Sequence, residues 1–215
     1  MSIFSEPADN GAILQAIFDR DVHAVACLRN DCDAYEGKGR LLRTAVLYST
    51  PEIVELLRAI TPQKFYPAIV QEGLQNNKVA GVERLIPATK FSNGAHDAIA
   101  LAFEKEQWGC LMPLLLHADM KRDGHKWVAR ITKRTPTEVA TRLERLMGTR
   151  LCRKLPVSIW TLAGNNPQSF KVFAPHLDLK KMHEVVVTKM YTRLTKDSQD
   201  LIEALLLKQG HRVAV

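Results

Sequence analysis

The clearest helical signal in the chain is Thr50-Pro51-Glu52-Ile53-Val54-Glu55-Leu56-Leu57. Thr50 suits the position before a helix, because its side-chain oxygen can accept a hydrogen bond from a free backbone N–H. Pro51 suits the first helical position, where a missing N–H costs nothing. The four apolar residues that follow form one helical face. The stretch therefore predicts a short amphipathic helix that must bury one side.

The same start signal recurs twice, at Thr135-Pro136 and Asn166-Pro167, which lie 85 and then 31 residues further along the chain. Thr135-Pro136-Thr137-Glu138 also has the sequence of a capping box, in which the threonine and glutamate side chains bond reciprocally to backbone N–H groups. The distances correspond to about three periods and one period of roughly 28–31 residues, which indicates a repeat architecture.

Division of the chain at this period gives seven segments, each with a short apolar helix, a polar turn, a second helix and a polar link. The turns are Asp19-Arg20-Asp21, Ser49-Thr50-Pro51, Asn76-Asn77-Lys78, Glu104-Lys105-Glu106, Lys133-Arg134-Thr135, Asn165-Asn166-Pro167 and Thr195-Lys196-Asp197. Two eight-residue helices are too short to be stable alone. We therefore predict an all-α solenoid of about seven stacked hairpins that forms a single domain over residues 1–215.

One family has this organisation and shares residues with the chain. Gly39-Arg40-Leu41-Leu42-Arg43-Thr44-Ala45-Val46 stands where ankyrin repeats have Gly-x-Thr-Pro-Leu-His-x-Ala. The stretch from Thr50 to Leu57 resembles the second helix of that repeat, and His117-Ala118-Asp119-Met120 is similar to its link. The resemblance is strongest over residues 11–60. It implies a curved stack with a protein-binding face formed by the links and first helices.

Charge is concentrated in one part of the chain. The net charge is +7, yet residues 121–154 alone hold 11 Lys/Arg and only 3 Asp/Glu. Such a band attracts an acidic protein or the phosphates of a nucleic acid, although it could equally be a solvated surface. Trp127 is the one aromatic side chain among these charges, which argues against binding of single-stranded nucleic acid.

A second set of polar residues recurs in the links, and we expect it to line one edge of the stack. It comprises Lys38, Arg40, Lys64, Tyr66, Asn93, His96, Lys121, Arg122, His125, Lys180 and Lys181. The predicted partner-binding residues combine this edge with the basic band. They are Lys38, Arg40, Tyr66, His96, Lys121, Arg122, His125, Lys126, Trp127, Arg130, Lys133 and Arg134.

Signals for other functions are sparse in the sequence. The phosphate-binding glycine patterns and the HExxH and GxSxG motifs are missing, and the seven histidines are scattered. Asp19 and Asp21 are better explained as helix caps than as an acid–base pair. Cys27, Cys32, Cys110 and Cys152 lack paired spacing, so we expect free thiols in a reducing cytoplasm. We expect no catalytic residues, cofactor or metal, no membrane span and no secretory signal.

The sequence therefore predicts a cytoplasmic, non-enzymatic module that binds a partner protein and inhibits or sequesters it, as immunity proteins, effectors and counter-defence factors do. The alternative is a nucleic-acid-binding protein that uses the basic band at residues 121–154. An enzyme whose site is assembled from scattered residues is the third possibility, and it would need a pocket with perturbed titratable groups.

Overall fold

The computed structural model describes residues 10–92, 95–156, 159, 162, 165–177 and 196–208. These residues form helices and turns, and none of them lies in a β-strand. The all-α prediction is thereby confirmed. The chain divides into two compact units, Met1–His117 and Ala118–Val215, which are described separately. A single domain over residues 1–215 stays a prediction.

The first unit contains four consecutive helical pairs. Their helices are α1 (Gly11–Asp19), α2 (Val22–Leu28), α3 (Arg40–Tyr48), α4 (Pro51–Arg58), α5 (Tyr66–Gln75), α6 (Val79–Leu85), α7 (His96–Glu104) and α8 (Trp108–Leu114). The first helices of neighbouring pairs contact one another in the order α1, α3, α5 and α7. The second helices α2, α4, α6 and α8 do the same. The unit therefore consists of two helical layers with a shared core.

The core of this unit follows the apolar spacing in the sequence. Ile53, Val54 and Leu57 of α4 are fully buried, as are Leu111 and Leu114 of α8. Each such side chain contributes about 1.5–3 kcal/mol when it is removed from water. This burial against neighbouring pairs offsets the instability of helices that are only seven to ten residues long.

Three of the four turns within pairs share one backbone conformation. Arg20, Asn77 and Glu106 each adopt a left-handed φ, of 58°, 57° and 55°. In each turn the N–H of the left-handed residue and the next N–H bond back to carbonyls of the preceding helix, as in a Schellman motif. These residues are about 29 positions, or twice that number, apart, so this turn recurs within the first unit at a spacing of about 29 residues.

The remaining turn, between α3 and α4, is built differently. Ser49 and Thr50 are both extended, with ψ of −162° and 157°. The conformation of Thr50 follows from Pro51, because a proline disfavours the helical conformation of the residue before it. The predicted helix start at Pro51 is confirmed. The Thr50 side chain, however, caps no backbone N–H.

A buried side-chain amide connects two of these turns. Gln107, the residue before α8, is 6% exposed. Its Nε2 donates to the Leu74 carbonyl oxygen and to Asn77 Oδ1, both at 2.8 Å. These acceptors lie one repeat earlier, in the turn between α5 and α6. Gln107 therefore fixes the position of one helical pair on the preceding pair.

The second unit contains α9 (Met120–Ala129), α10 (Thr137–Cys152), α11 (Pro167–Phe173) and α12 (Lys196–Lys208). Helix α10 packs against both α9 and α11, and α12 packs against α11. The buried side chains include Trp127, Leu143, Phe170 and Phe173. The sixth and seventh predicted hairpins fall partly outside the described residues, including the turn residue Thr195.

The capping box predicted at Thr135 is wrong. Helix α10 begins at Thr137, after Pro136, and no side chain caps it. The Thr135 hydroxyl oxygen instead accepts a bond from the Thr132 N–H at 2.9 Å. The threonine closes the loop before the helix, which leaves it no reach to the helix N–H groups.

Helix α10 is interrupted near its end. Gly148 has φ 66° and ψ 166°, a conformation that is essentially restricted to glycine. The first part of the helix therefore ends at this position, and a further helical turn follows it up to Cys152.

Candidate partner-binding surface

Helix α9 separates its basic and buried side chains onto opposite faces. Asp119 caps the helix by accepting bonds from the N–H groups of Lys121 and Arg122 at 3.1 and 3.2 Å. Asp123, Gly124, Trp127 and Val128 are buried. The Lys, Arg and His residues of the opposite face and of the loop that follows are exposed, and we call them the basic face: Lys121, Arg122, His125, Lys126, Arg130, Lys133 and Arg134.

A buried carboxylate organises part of the basic face. The side chain of Asp123 is only 3% exposed and accepts bonds from Arg122 Nε at 2.8 Å and from Lys126 Nζ at 2.8 Å. The Arg122 guanidinium, followed by the Lys126 ammonium, holds the pKa of the Asp123 carboxyl well below its usual range. The two cations are thereby held in place while their outer surfaces stay more than half exposed.

The structure removes Trp127 from the predicted surface. Its side chain is 1% exposed and is among the largest fully buried groups of the described chain. The Arg130 guanidinium lies 5.9 Å from the centre of its ring. The indole therefore lies close to the Arg130 guanidinium. Because it is buried, it cannot stack on a base or contact a partner directly.

The loop that carries Lys133 and Arg134 is held by Asn166. The Asn166 side-chain nitrogen donates to the carbonyl oxygens of Thr132 and Thr135 at 2.8 and 3.0 Å. Its side-chain oxygen accepts from the Ser169 N–H at 3.0 Å and so caps α11, as the sequence predicts. One buried amide thus sets both the start of α11 and the shape of the basic loop.

The predicted link residues of the first unit have differing environments. Lys38 and Arg40 are exposed, and Arg40 pairs with Glu36 at 3.2 Å. His96, at the start of α7, is partly buried. Asn93, Lys180 and Lys181 lie outside the described residues. Because the link residues and the basic face belong to different units, the structure gives no basis for treating them as one site.

The structure contradicts the prediction that Tyr66 is a partner-binding residue. It is 2% exposed, and its hydroxyl donates to the Arg58 carbonyl oxygen at 2.6 Å and approaches that of Thr61 at 3.1 Å. The ring begins the buried face of α5, and the hydroxyl holds the end of α4. Tyr66 therefore stabilises the stack from inside and is not available to a partner.

The described residues lack a group of metal ligands, and two of the four cysteines are buried. No three His, Cys, Asp or Glu side chains among them are grouped as ligands. Burial raises the pKa of Cys110 to about 12 and that of Cys152 to about 11, so both thiols stay protonated and unreactive at neutral pH. Within the described part of the chain, no helix is long and apolar enough to span a bilayer.

Sequence reasoning missed the role of Asp123. The signal was its spacing, because Asp123 lies four residues before Trp127 on the buried side of α9, with cations at positions 122 and 126. Comparisons with protein-family models, with curated proteins and with solved structures found no match to this chain. The function is therefore inferred from the surface of the molecule.

Proposed function

We propose that the chain is a non-enzymatic binding module of stacked, ankyrin-like helical pairs that captures an acidic surface of a partner protein and thereby inhibits or sequesters it. The observation that carries this proposal is the basic face of α9 and its loop. Residues 121–134 hold six Lys/Arg and a single carboxylate, Asp123. That carboxylate is buried beneath the cations, so the outward charge is positive.

Two features favour binding over simple solvation of this face. Long cationic side chains lose conformational freedom when a partner orders them. Asp123 already restrains Arg122 and Lys126, and Asn166 already holds the loop of Lys133 and Arg134. These side chains therefore lose less conformational freedom when a complex forms. A positive patch of this kind also accelerates encounter with an acidic partner.

The repeated turn supports the ankyrin-like interpretation of the fold. Three helical pairs share a left-handed turn at the same place, and first helices stack on first helices. In a stack of this kind, each pair contacts only its neighbours and the edges form extended surfaces. Binding by surface occlusion fits that architecture, since it needs exposed side chains and no enclosed pocket.

Binding of nucleic acid is the second candidate, because the same cations would neutralise phosphates. Burial of Trp127 weighs against single-stranded targets, which commonly use exposed aromatic side chains as stacking platforms. A duplex target predicts affinity that falls steeply with salt and does not depend on sequence. These properties separate the candidates experimentally.

The test is an affinity capture from the source cell with the tagged full chain, after nuclease treatment, at two salt concentrations. It compares the natural chain with Lys121→Glu/Lys133→Glu on the basic face. A matched control, Arg84→Glu/Lys105→Glu, reverses two exposed charges in the first unit. We expect one stoichiometric protein that withstands nuclease and moderate salt.

Recovery of that protein should fall at least tenfold with the basic-face variant, and the control should retain it. A tenfold loss corresponds to about 1.4 kcal/mol of binding free energy. Recovery of nucleic acid alone, lost as salt is raised, would overturn the proposal in favour of the second candidate. Equal losses with both variants would show that the basic face is not the binding surface.

A further inference from the structure

The first unit has exposed aromatic side chains at the edge formed by the turns within its helical pairs. Phe18 at the end of α1 is 53% exposed and Tyr48 at the end of α3 is 55% exposed. Their ring centroids are 5.7 Å apart, with a tilt of 44°. Val22, at the start of α2, is 40% exposed. Contiguous exposed apolar surface of this kind often marks an interaction site.

An open groove of about 410 Å³ adjoins Tyr48. Its lining includes Arg20, Tyr48, Asn77, Lys78 and Gly81. A Cβ atom added to Gly81 would lie only 3.0 Å from the backbone oxygen of Val46. Helices α3 and α6 therefore approach closely here, and a larger residue at position 81 would crowd the base of the groove.

The two charged residues that line this groove are both cationic. Arg20 and Lys78 line it, and no carboxylate does. The Lys78 ammonium lies 5.9 Å from the centre of the Tyr48 ring. Asp19 and Asp21 flank Arg20 on the same turn, where Asp19 accepts a bond from Gln15 and Asp21 accepts one from the Ala24 N–H, and neither carboxylate lines the groove. An occupant of the groove would therefore meet Arg20 and Lys78 beside Tyr48, whose ring contacts that of Phe18.

We propose that this turn edge is a second binding site, which takes an acidic segment of a partner protein that carries an apolar side chain. The apolar side chain packs on Phe18 and Tyr48, and an adjacent Asp or Glu carboxylate pairs with Lys78 or Arg20. A peptide fits better than a nucleic acid because apolar contact area accompanies only two cations. The inference goes beyond the proposed function, since the site lies in the first unit and shares no residue with the basic face.

The test starts from the full chain with Lys121→Glu/Lys133→Glu, which weakens the attraction of acidic peptides to the basic face. A library of displayed random dodecapeptides is enriched for binding to this protein. The enriched peptides are synthesised with a fluorophore, and their binding is measured by fluorescence anisotropy. We expect sequences in which an aromatic or aliphatic residue stands within two positions of Asp or Glu. Circular dichroism confirms that each variant has folded.

Binding of those peptides should weaken at least tenfold with Lys78→Glu and less than twofold with Lys105→Glu. Lys105 is a matched control because it is an exposed lysine in the next turn along the stack. Restoring Lys121 and Lys133 should leave the affinity unchanged. Failure to enrich acidic–apolar peptides, indifference to Lys78→Glu, or displacement by a short single-stranded oligonucleotide would each overturn the inference without bearing on the basic face.

Discussion

Replacement of Gln107 with alanine removes the two hydrogen bonds that connect the turn before α8 to the turn one repeat earlier. Each buried hydrogen bond contributes about 1 kcal/mol net. The Leu74 carbonyl keeps a second bond, from the Asn77 N–H at 3.2 Å, so it is not left without a partner. We therefore expect Gln107→Ala to lower the free energy of unfolding by about 2 kcal/mol.

The measurement is urea-induced unfolding followed by circular dichroism, with native-state hydrogen exchange to assign the loss to the first unit. Gln75→Ala is the matched control, because Gln75 is an exposed glutamine on α5. Its change should stay within about 0.5 kcal/mol. Asn77→Gly tests the partner and is compatible with the left-handed backbone at this position.

The double variant Gln107→Ala/Asn77→Gly isolates one of the two bonds. Removal of Asn77 Oδ1 should make the Gln107 substitution less costly, with a coupling of about 0.5–1.5 kcal/mol. Additive effects in this cycle, or a Gln107→Ala loss no larger than that of Gln75→Ala, would refute the view that this amide fixes one pair on the next.

Three further predictions concern single residues. Because the folded pKa of Asp123 is lowered, its ion pairs stabilise the fold above its unfolded pKa of about 3.9. Asp123→Asn should therefore cost about 1–2 kcal/mol at pH 7 and progressively less as the pH falls below 4, measured as urea midpoints across pH. Gly148→Ala should cost about 1–3 kcal/mol from backbone strain alone, since no atom lies within 4 Å of the added methyl; an unchanged urea midpoint would contradict this. A thiol reagent at pH 8 should label exposed Cys27 in the native protein, whereas Cys110 and Cys152 should react only in urea.

The turns were predictable because their chemistry is local. Asp19-Arg20-Asp21 and Asn76-Asn77-Lys78 are polar interruptions between apolar helical stretches, and both are turns in the structure. Asp21 caps α2 as its position suggests. Such features depend on neighbours within four residues, and sequence patterns report those neighbours directly.

The candidate surface was harder to predict because a count of charged residues along the sequence does not show which side of a helix is buried. Trp127 and Tyr66 both belong to apolar stripes, with Val128 and Ile69 on the same buried sides. Helical spacing alone indicates a core role for each aromatic ring. Counting Trp127 among the cations around it obscured that spacing, since its neighbours in sequence are not its neighbours in space.

Long-range polar contacts could not be predicted from the sequence. Asn166 is recognisable as a cap from the proline that follows it, yet its bonds to Thr132 and Thr135 cross 34 and 31 residues. Gln107 has no local signature at all. Both depend on how one pair stacks on another, which spacing in the sequence does not determine.

The three left-handed turns at Arg20, Asn77 and Glu106 also have a consequence for evolution, because they affect where such a chain can gain or lose a helical pair. Asn77 and Glu106 have nearly the same φ and equivalent backbone bonds. The segment between them therefore begins and ends in the same backbone conformation. Unequal recombination at these two points would delete or duplicate one helical pair while leaving the backbone at the junction unchanged. The extended turn at Ser49 and Thr50 is not an equivalent recombination point. A left-handed turn cannot replace it, because Pro51 restricts the residue before it to an extended conformation. The number of helical pairs in the first unit can therefore change in whole steps more readily at the turns of Asn77 and Glu106 than at the turn of Ser49 and Thr50.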